Sequence, residues 1–333
     1  MPKIVDVARR AGVSTATVSR VLSRADPVSE STRERVLAAV DELGYVPNVA
    51  GRSLRTQRSN KLLITLPDIS NPFFSNVIRG AEEAARAENY AVVLGDTRHD
   101  PELENQYAAM LRRHEVDGLV FLGHRLPESL ASLIAEAHGA APVVNGCEFS
   151  PALGVSSVHI DNSAAGADAT EHLVGLGHRR IGIVTGPLLS PLSRDRLAGV
   201  QKAAAQHDLA SELRVQGGDF SVESGLQAAQ ALLADGATAL FCFSDEMAVG
   251  ALRAATRLGL SCPQDVSIVG FDDIRFAQYT TPELTTIHQP AAEIGRRAVG
   301  LLHRAITGDL IKPEIVTLPH RLVVRESTGP VRR

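Results

Sequence analysis

The sequence IVDVARRAGVSTATVSRVL, at positions 4 to 22, determines how the first part of the chain folds. Its apolar residues recur every three or four positions up to Ala11, as they do on one face of a helix, and Gly12 gives the backbone the freedom that a tight turn requires. Ser14 can then cap a second helix that runs to about Leu22. Two helices around a glycine turn predict a helix-turn-helix.

A third helix is predicted to open near residues 29–31 and to end at Gly44, and three such helices can enclose a small core. In the second helix Thr15, Ala16, Thr17 and Arg20 face outward. Short side chains allow close approach to base edges, and an arginine can reach a guanine or a phosphate. The pattern therefore indicates DNA binding, with an incidental helical hairpin as the alternative.

The distribution of charge points the same way. The 333-residue chain has a net charge of -4, yet residues 1–61 carry eleven Lys and Arg against six Asp and Glu. A basic first segment on an acidic remainder is expected when nucleic acid is bound at one end only. The overall composition, 44% hydrophobic and 22% charged, is that of a globular protein with more than one core.

Several classes of protein and site are not predicted. No segment approaches the roughly 18 to 20 apolar residues of a membrane helix, and the first residues lead into a helix instead of a signal peptide, so we expect a cytoplasmic protein. Cys147, Cys242 and Cys262 are far apart and lack CxxC spacing, which predicts reduced thiols and neither disulfides nor a zinc site. No cofactor or metal is expected.

Residues 4–22 resemble the signature of the LacI/GalR family of repressors, and residues 43–48 resemble its continuation. The resemblance covers essentially the whole chain, and residues 67–75 and 159–162 are most similar to the cytidine-repressor branch. It implies a transcriptional regulator that binds a pseudo-palindromic operator as a homodimer under the control of a small-molecule effector. The predicted DNA contacts of the first domain, residues 1–46, are Thr15, Ala16, Thr17, Ser19, Arg20 and Ser23; relatives often carry asparagine at the last of these.

Residues 47–60 are basic and have few apolar anchors, so this segment cannot hold a helix alone. The resemblance implies that it folds as a hinge helix on DNA, where Leu54 opens a base step in the minor groove and Asn48, Arg52 and Arg55 add contacts. The alternative is a solvated linker. Gly51 replaces the alanine usual in the family and weakens the helix by roughly 1 kcal/mol, which predicts weaker or less spacing-strict operator binding.

Residues 61–333 alternate apolar runs with helical patterns. The predicted buried strands are 62–64, 91–94, 118–122, 143–144, 180–184, 238–243 and 266–271, and the later helices are 196–206, 224–234 and 246–258. This order predicts an α/β fold with two parallel-sheet lobes. The family resemblance implies the two-lobed architecture of periplasmic binding proteins.

Ligands of parallel sheets bind at the carboxyl ends of the strands, so the cleft between the lobes is the expected effector site. Arginine can bind a ligand bidentately, carboxylates accept from hydroxyls and phenylalanine can stack on a ring. The predicted contacts are Asp68, Phe73, Phe74, His124, Arg196, Phe220, Asp245 and Asp272. His124 could equally be a surface histidine, and Asp68 an Asx-turn residue. Residues 190–195 depart from the pattern of sugar-binding members, which leaves the effector class open. A sugar, a glycoside or a nucleoside would fit.

Two other functions compete with a regulator. An enzyme is disfavoured because the sequence has no HExxH, P-loop, GxSxG or strand-linked GxGxxG motif. The adjacent Asp272 and Asp273 should point to opposite faces of an extended chain, which prevents joint acid-base chemistry. A sugar-binding protein without DNA function would need a signal peptide. A dimer is expected because no leucine-heptad tail follows Pro330.

Overall fold

The computed structural model describes residues 2–23, 28–46, 58–137, 141–149 and 153–332, which fall into two compact units, Met1–Arg58 and Ser59–Arg333. The first unit, here called the head, contains α1 (Ile4–Ala11), α2 (Thr15–Ser23) and α3 (Glu30–Leu43). Gly12 and Gly44 end α1 and α3 with left-handed φ angles of +67° and +57°. The three predicted helices are therefore confirmed.

The core of the head is made by the apolar faces of the three helices. Val7, Val18 and Val36 are completely buried there, one from each helix. Arg10 and Glu42 join α1 to α3 on the outside, with Arg10 Nη2 2.7 Å from Glu42 Oε2. Because the cluster is small, the burial of each valine contributes a large share of the head's free energy of unfolding.

The second unit contains two sheets of six strands, each the centre of one lobe. Lobe 1 has the strand order β11-β5-β4-β3-β1-β2 and all its pairings are parallel. Its strands are β1 (Lys61–Leu66), β2 (Ala91–Asp96), β3 (Gly118–Phe121), β4 (Val143–Gly146), β5 (Ser156–Ile160) and β11 (Ile315–Leu318). Its helices are α4 (Pro72–Ala87), α5 (Pro101–Arg112), α6 (Glu128–Glu136) and α11 (Ala291–Thr307).

Lobe 2 repeats this arrangement with the order β12-β10-β9-β8-β6-β7, in which only the pairing of β12 with β10 is antiparallel. Its strands are β6 (Ile181–Thr185), β7 (Arg214–Gly217), β8 (Ala239–Cys242), β9 (Ser267–Asp272), β10 (Thr285–His288) and β12 (Arg321–Val323). Its helices are α7 (Asn162–Gly175), α8 (Pro191–Gln206), α9 (Val222–Ala234) and α10 (Asp245–Arg257), followed by a short 3₁₀ helix, Arg275–Gln278.

The chain crosses between the lobes three times. It passes from β5 to α7, from β10 to α11, and from β11 to β12. The two-lobed α/β architecture with crossovers is the predicted one.

Two details differ from the sequence prediction. The segment containing β2 was expected to be a buried strand, but β2 is an edge strand with mostly exposed or half-exposed side chains. The pattern also failed to predict β5, β7, β10, β11 and β12. Among the described residues, no helix is long and apolar enough to cross a membrane.

Candidate functional site

Arg196 lies at the junction of the two lobes and is 3% exposed. Its Nε donates to Asn162 Oδ1 at 2.9 Å and its Nη1 to the Phe243 carbonyl at 2.6 Å. Its guanidinium carbon lies 3.5 Å from the centroid of the Phe271 ring, a cation–π geometry. Burial lowers the pKa of Arg196 to about 10, against the opposing effect of the Asp272 and Glu148 carboxylates. The side chain is thus held as a fixed cation.

Two glycines position the helix that carries Arg196. A Cβ on Gly166 of α7 would lie 2.3 Å from the Arg196 carbonyl oxygen, and a Cβ on Gly199 of α8 would lie 1.9 Å from the Ser163 carbonyl oxygen. Only glycine allows α7 and α8 to approach so closely. The contact brings Arg196 within hydrogen-bond reach of Asn162, the first residue of α7.

Asp272 is the last residue of β9 and accepts a hydrogen bond from Gln289 Nε2 at 2.6 Å. Burial raises the pKa of Asp272 to about 7, which the Arg196 charge and the Gln289 bond oppose. Asp273 instead binds Arg325 Nη2 at 2.6 Å and His288 Nδ1 at 2.9 Å. The two carboxylates have different partners, as expected, but the cause is the left-handed backbone at both residues, with φ of +111° and +54°.

Glu148, which the sequence did not single out, is a buried carboxylate that joins the lobes. It follows β4 of lobe 1 and accepts hydrogen bonds from Ser190 Oγ at 2.9 and 3.0 Å and from the Leu192 amide at 3.4 Å, both of lobe 2. Burial raises its pKa to about 7, while the hydrogen bonds and the Arg196 charge lower it. Asn162 and Gln289, which hold Arg196 and Asp272, are two further residues that sequence reasoning missed.

Asp245 is completely buried at the start of α10. Its Oδ1 accepts from Thr286 Oγ1 at 2.6 Å and its Oδ2 from the Ile274 amide at 2.8 Å. Burial raises the pKa of Asp245 well above its usual range. An effector contact to Asp245 would have to share or displace these bonds, since both oxygens already have partners.

The predicted aromatic residues differ in their accessibility. Phe73 and Phe74, in the first turn of α4, are buried and meet edge to face with ring centroids 5.3 Å apart. Phe220 is half-buried, has a φ of +72° and lies against Gly186, where a Cβ would come within 2.1 Å of the ring. Gly186 directly follows β6, so the Phe220 ring is the one of the three that lies partly open at a strand end.

Asp68 and His124 follow β1 and β3 of lobe 1. Asp68 is exposed, and its Oδ1 accepts from the amide of Ser70 at 2.8 Å and from its hydroxyl at 2.6 Å, which is an Asx turn. The Asp68 charge nevertheless acts on Glu246, in α10 of lobe 2: burial and the Asp68 charge together raise the pKa of Glu246. His124 is half-buried with its ring centroid 6.5 Å from that of His99, and burial together with Arg125 lowers its pKa.

The start of α2 forms a polar surface of the head. Ser14 caps α2 by accepting from the Thr17 amide at 3.2 Å, and the two hydroxyls are 3.0 Å apart. Thr15, Ala16 and Arg20 are exposed, whereas Thr17 and Ser19 are half-buried. The backbone of Ser23 ends the helix. Thr15, Ala16 and Arg20 thus face outward as the sequence predicted, whereas Thr17, for which the same was predicted, is only partly exposed.

The remaining predicted DNA contacts, Asn48, Arg52, Leu54 and Arg55, lie outside the described residues, as do Gly51 and the side chain of Ser23. Within the described ranges, no group of three or more His, Cys, Asp or Glu could hold a metal ion.

Comparison with known proteins gives matches along the whole chain. Residues 3–48 match the bacterial regulatory proteins of the lacI family, and residues 170–328 match a periplasmic binding protein-like domain. The chain is 42% identical over 326 residues to the HTH-type transcriptional repressor CytR of Escherichia coli (strain K12), a match that covers 97% of this chain and 95% of the relative. It is 37% identical to the repressor PurR of Escherichia coli O139:H28 (strain E24377A / ETEC), over 100% and 99% of the two chains.

Solved structures with the same fold include DNA-bound and ligand-bound proteins. The lac repressor dimer bound to operator and the anti-inducer ONPF matches with a TM-score of 0.86 and 31% identity, over 98% of this chain and 99% of that one. The transcriptional regulator CelR in complex with cellobiose matches with a TM-score of 0.74 and 33% identity, over 98% and 100%.

Proposed function

Because this chain belongs to the LacI family of bacterial regulatory proteins, we propose that it is a repressor that binds a pseudo-palindromic operator as a homodimer and responds to a small molecule bound between its lobes. Its relatives CytR and PurR are transcriptional repressors, and the chain is a regulator and not an enzyme. The domains proposed are a helix-turn-helix DNA-binding domain (1–46), a hinge (47–60) and the two-lobed body (61–333).

The observation that carries the proposal is the exposure of Thr15 and Ala16 in the first turn of α2, a turn that Ser14 caps. Thr15 and Ala16 are short enough to approach base edges in the major groove, and Arg20 extends one turn further along the same helix. Two heads related by a two-fold axis would meet two half-sites about one helical turn apart or a multiple of it. Leu54 of each subunit would enter the minor groove between them.

The test of DNA binding is selection from randomised DNA followed by fluorescence anisotropy on the enriched duplex. We expect a pseudo-palindrome to be enriched, Leu54→Ala to weaken binding to it, and Arg20→Ala to relax the preference at one position of each half-site, since a good base contact contributes about 1–3 kcal/mol of discrimination. Arg253→Ala is the control, because it changes a cation far along the chain in α10. If no sequence is enriched over random DNA, the proposal fails.

The effector site proposed is the space around Arg196 and Asp272. A fixed guanidinium beside a buried carboxylate presents both donors and an acceptor, which suits a ligand that carries several hydroxyl groups. Phe220 is suitably exposed to stack on a sugar face or a base. Sugars, glycosides and nucleosides all satisfy these requirements, and the cellobiose complex of CelR supports a carbohydrate among them.

A thermal-shift screen of these three classes tests the effector site. A ligand at about 100 times its dissociation constant stabilises the folded state by roughly 2.7 kcal/mol. Arg196→Ala should remove the shift while operator binding persists. A compound that shifts wild type and Arg196→Ala equally would show that it binds elsewhere.

The dimer is supported by apolar side chains that a monomer would leave in water. In lobe 2, Leu258, Phe276 and Tyr279 are 48%, 57% and 71% exposed, and in lobe 1 Ile69 is 56% exposed. Phe276 and Tyr279 stand three positions apart at the 3₁₀ helix, and neighbouring exposed aromatic side chains of this kind are typical of subunit interfaces. Sedimentation velocity should give a dimer for wild type and a shift toward monomer for Tyr279→Asp. Lys202→Asp, at an exposed position of α8, is the control and should leave the dimer intact.

A further inference from the structure

The N-terminus of α8 lacks the cap that its own sequence offers. Helix N-termini leave backbone amides unpaired, and a serine at the N-cap normally accepts from the amide three residues on. Ser14 does so for the Thr17 amide at 3.2 Å, Ser221 for Ser224 at 3.1 Å, and Ser244 for Met247 at 3.2 Å. Ser190 occupies the same position before α8, yet its side chain makes no capping bond to its own helix.

The cap of α8 comes instead from the other lobe. Glu148 accepts from the Leu192 amide and from Ser190 Oγ, so the carboxylate both caps the helix and engages the serine that would otherwise do so. A negative charge at a helix N-terminus is also stabilised by the helix dipole. Ser190 nevertheless has the extended backbone of an N-cap residue, with φ -74° and ψ 129°.

Ser193 provides a second sign of an alternative arrangement. Its Oγ is completely buried and is without a hydrogen-bond partner among the described residues. In the head, Ser14 and Thr17 stand in the same three-residue spacing, and there the serine accepts from the Thr17 amide while the two hydroxyls bond to each other. If Ser190 were released from Glu148, it could make both of these bonds with Ser193.

We propose that Glu148 is a positioning residue of the effector site, which caps α8 from lobe 1 when the lobes are together and is replaced by Ser190 when they separate. Helix α8 keeps one cap in either state. Separation of the lobes therefore does not fray its first turn, in which Ser193 lies three residues before Arg196. The proposal rests on the proposed effector site for its functional meaning. Its tests require no effector, so it can fail while the proposed function stands.

Hydrogen exchange of the ligand-free, full-length protein, followed by mass spectrometry, tests the exchange of caps. We expect the amides of residues 192–194 to exchange less than about twofold faster in Glu148→Ala and in Ser190→Ala, because the other cap remains. In the double variant they should exchange about fivefold faster, the factor that corresponds to a cap of roughly 1 kcal/mol. Ser221→Ala is the matched control: among the residues that the structure describes, α9 is capped by its own serine alone, so the single change should already give the larger effect at residues 222–224.

The proposal is overturned if Glu148→Ala alone gives the full increase and Ser190→Ala adds nothing to it, or if the double variant exchanges like wild type. A separate measurement covers the case in which the double variant does not fold. Fluorescence energy transfer between dyes on the exposed positions Glu82 of α4 and Lys202 of α8 reports the separation of the lobes, in a Cys262→Ser background that leaves two buried thiols.

The pH dependence of the lobe separation distinguishes a positioning role of Glu148 from a purely structural one. The groups that face Glu148 are Arg196 and Arg194 from α8 and the neighbouring Cys147. A carboxyl that is buried when the lobes meet and hydrated when they part takes up a proton on closing. The closed fraction should therefore rise about tenfold relative to the open one from pH 8 to pH 6. Glu148→Gln should remove this share of the dependence, and an identical pH profile in wild type and Glu148→Gln would refute the role.

Discussion

Arg196→Ala should destabilise the body of the protein by an amount that depends on pH. The change removes two hydrogen bonds, to Asn162 and to the Phe243 carbonyl, and a cation that lowers the pKa of both Asp272 and Glu148. Removing one partner from a buried charge cluster costs about 3–5 kcal/mol when the remaining charge cannot be neutralised. Here protons can neutralise it.

The sign of the pH effect follows from the two carboxyls. Burial raises the pKa of both Glu148 and Asp272 to about 7 in the folded protein, so between about pH 4 and pH 7 the folded state binds more protons than the unfolded state. Stability then falls as the pH rises through that window. Without the guanidinium both pKa values rise further, and the pH window extends upward with them. Each pKa unit of this rise corresponds to about 1.4 kcal/mol of stability lost at a pH above the window. The cost of Arg196→Ala should therefore be smaller at pH 5.5 than at pH 8.5.

Urea unfolding of wild type and Arg196→Ala at pH 5.5, 7.0 and 8.5 measures this difference, with the m-value checked for a common unfolding transition. Arg304→Ala is the control: its ion pair with Glu314, 2.7 Å long, lies at the surface with the two side chains 42% and 40% exposed, so its effect should be small and nearly independent of pH. The reasoning is refuted if Arg196→Ala costs less than about 1 kcal/mol at pH 8.5, or if its cost is the same at all three pH values.

Three other predictions concern the helix contact, the head and the hinge. Gly166→Ala should lower the free energy of unfolding by about 1–3 kcal/mol and reduce the thermal shift given by an effector, because the new Cβ would lie 2.3 Å from the Arg196 carbonyl oxygen; Gly300→Ala, where nothing lies within 4 Å, is the control, and equal effects would contradict the explanation. Val18→Ala should abolish operator binding measured by anisotropy without lowering the main calorimetric transition of the body, since Val18 is completely buried in the head core; retention of full affinity would count against this account of the core. Gly51→Ala should tighten operator binding severalfold, as roughly 1 kcal/mol of helix stability predicts, and an unchanged dissociation constant would disprove it.

Most strands built from apolar residues could be predicted from the sequence, with β11, which reads Ile-Val-Thr-Leu, as an exception, and strands built largely from polar residues could not. β8 is a continuous apolar run and β1 contains the apolar run 62–64. In contrast, β5 reads Ser-Ser-Val-His-Ile and β10 reads Thr-Thr-Ile-His, although most of these residues are buried. Their polar groups have partners inside the fold: Thr286 donates to Asp245, and the Thr285 hydroxyl is 3.1 Å from that of Thr328. Such partners come from distant parts of the chain, so no local pattern reveals them.

The same limit explains the site residues. Arg196 and Asp272 could be proposed because they follow recognisable strands or matched a family pattern. Asn162 and Gln289 follow β5 and β10, the strands that the pattern missed, so the rule of searching strand ends could not reach them. Glu148 follows a predicted strand, but its importance depends on Ser190 and Leu192 of the other lobe, and that contact exists only in the folded chain.

The crossings between the lobes give the site a mechanical advantage. Asn162 and Gln289, which bind Arg196 and Asp272 directly, stand beside the segments where the chain passes from β5 to α7 and from β10 to α11. A ligand at the proposed effector site that moves these residues would act close to the fulcrum about which the lobes would turn. Since displacement grows with distance from a fulcrum, a small shift there would become a larger movement at the far ends of the lobes. A small molecule would therefore need to change very little at its own site to affect the outer surface of the body.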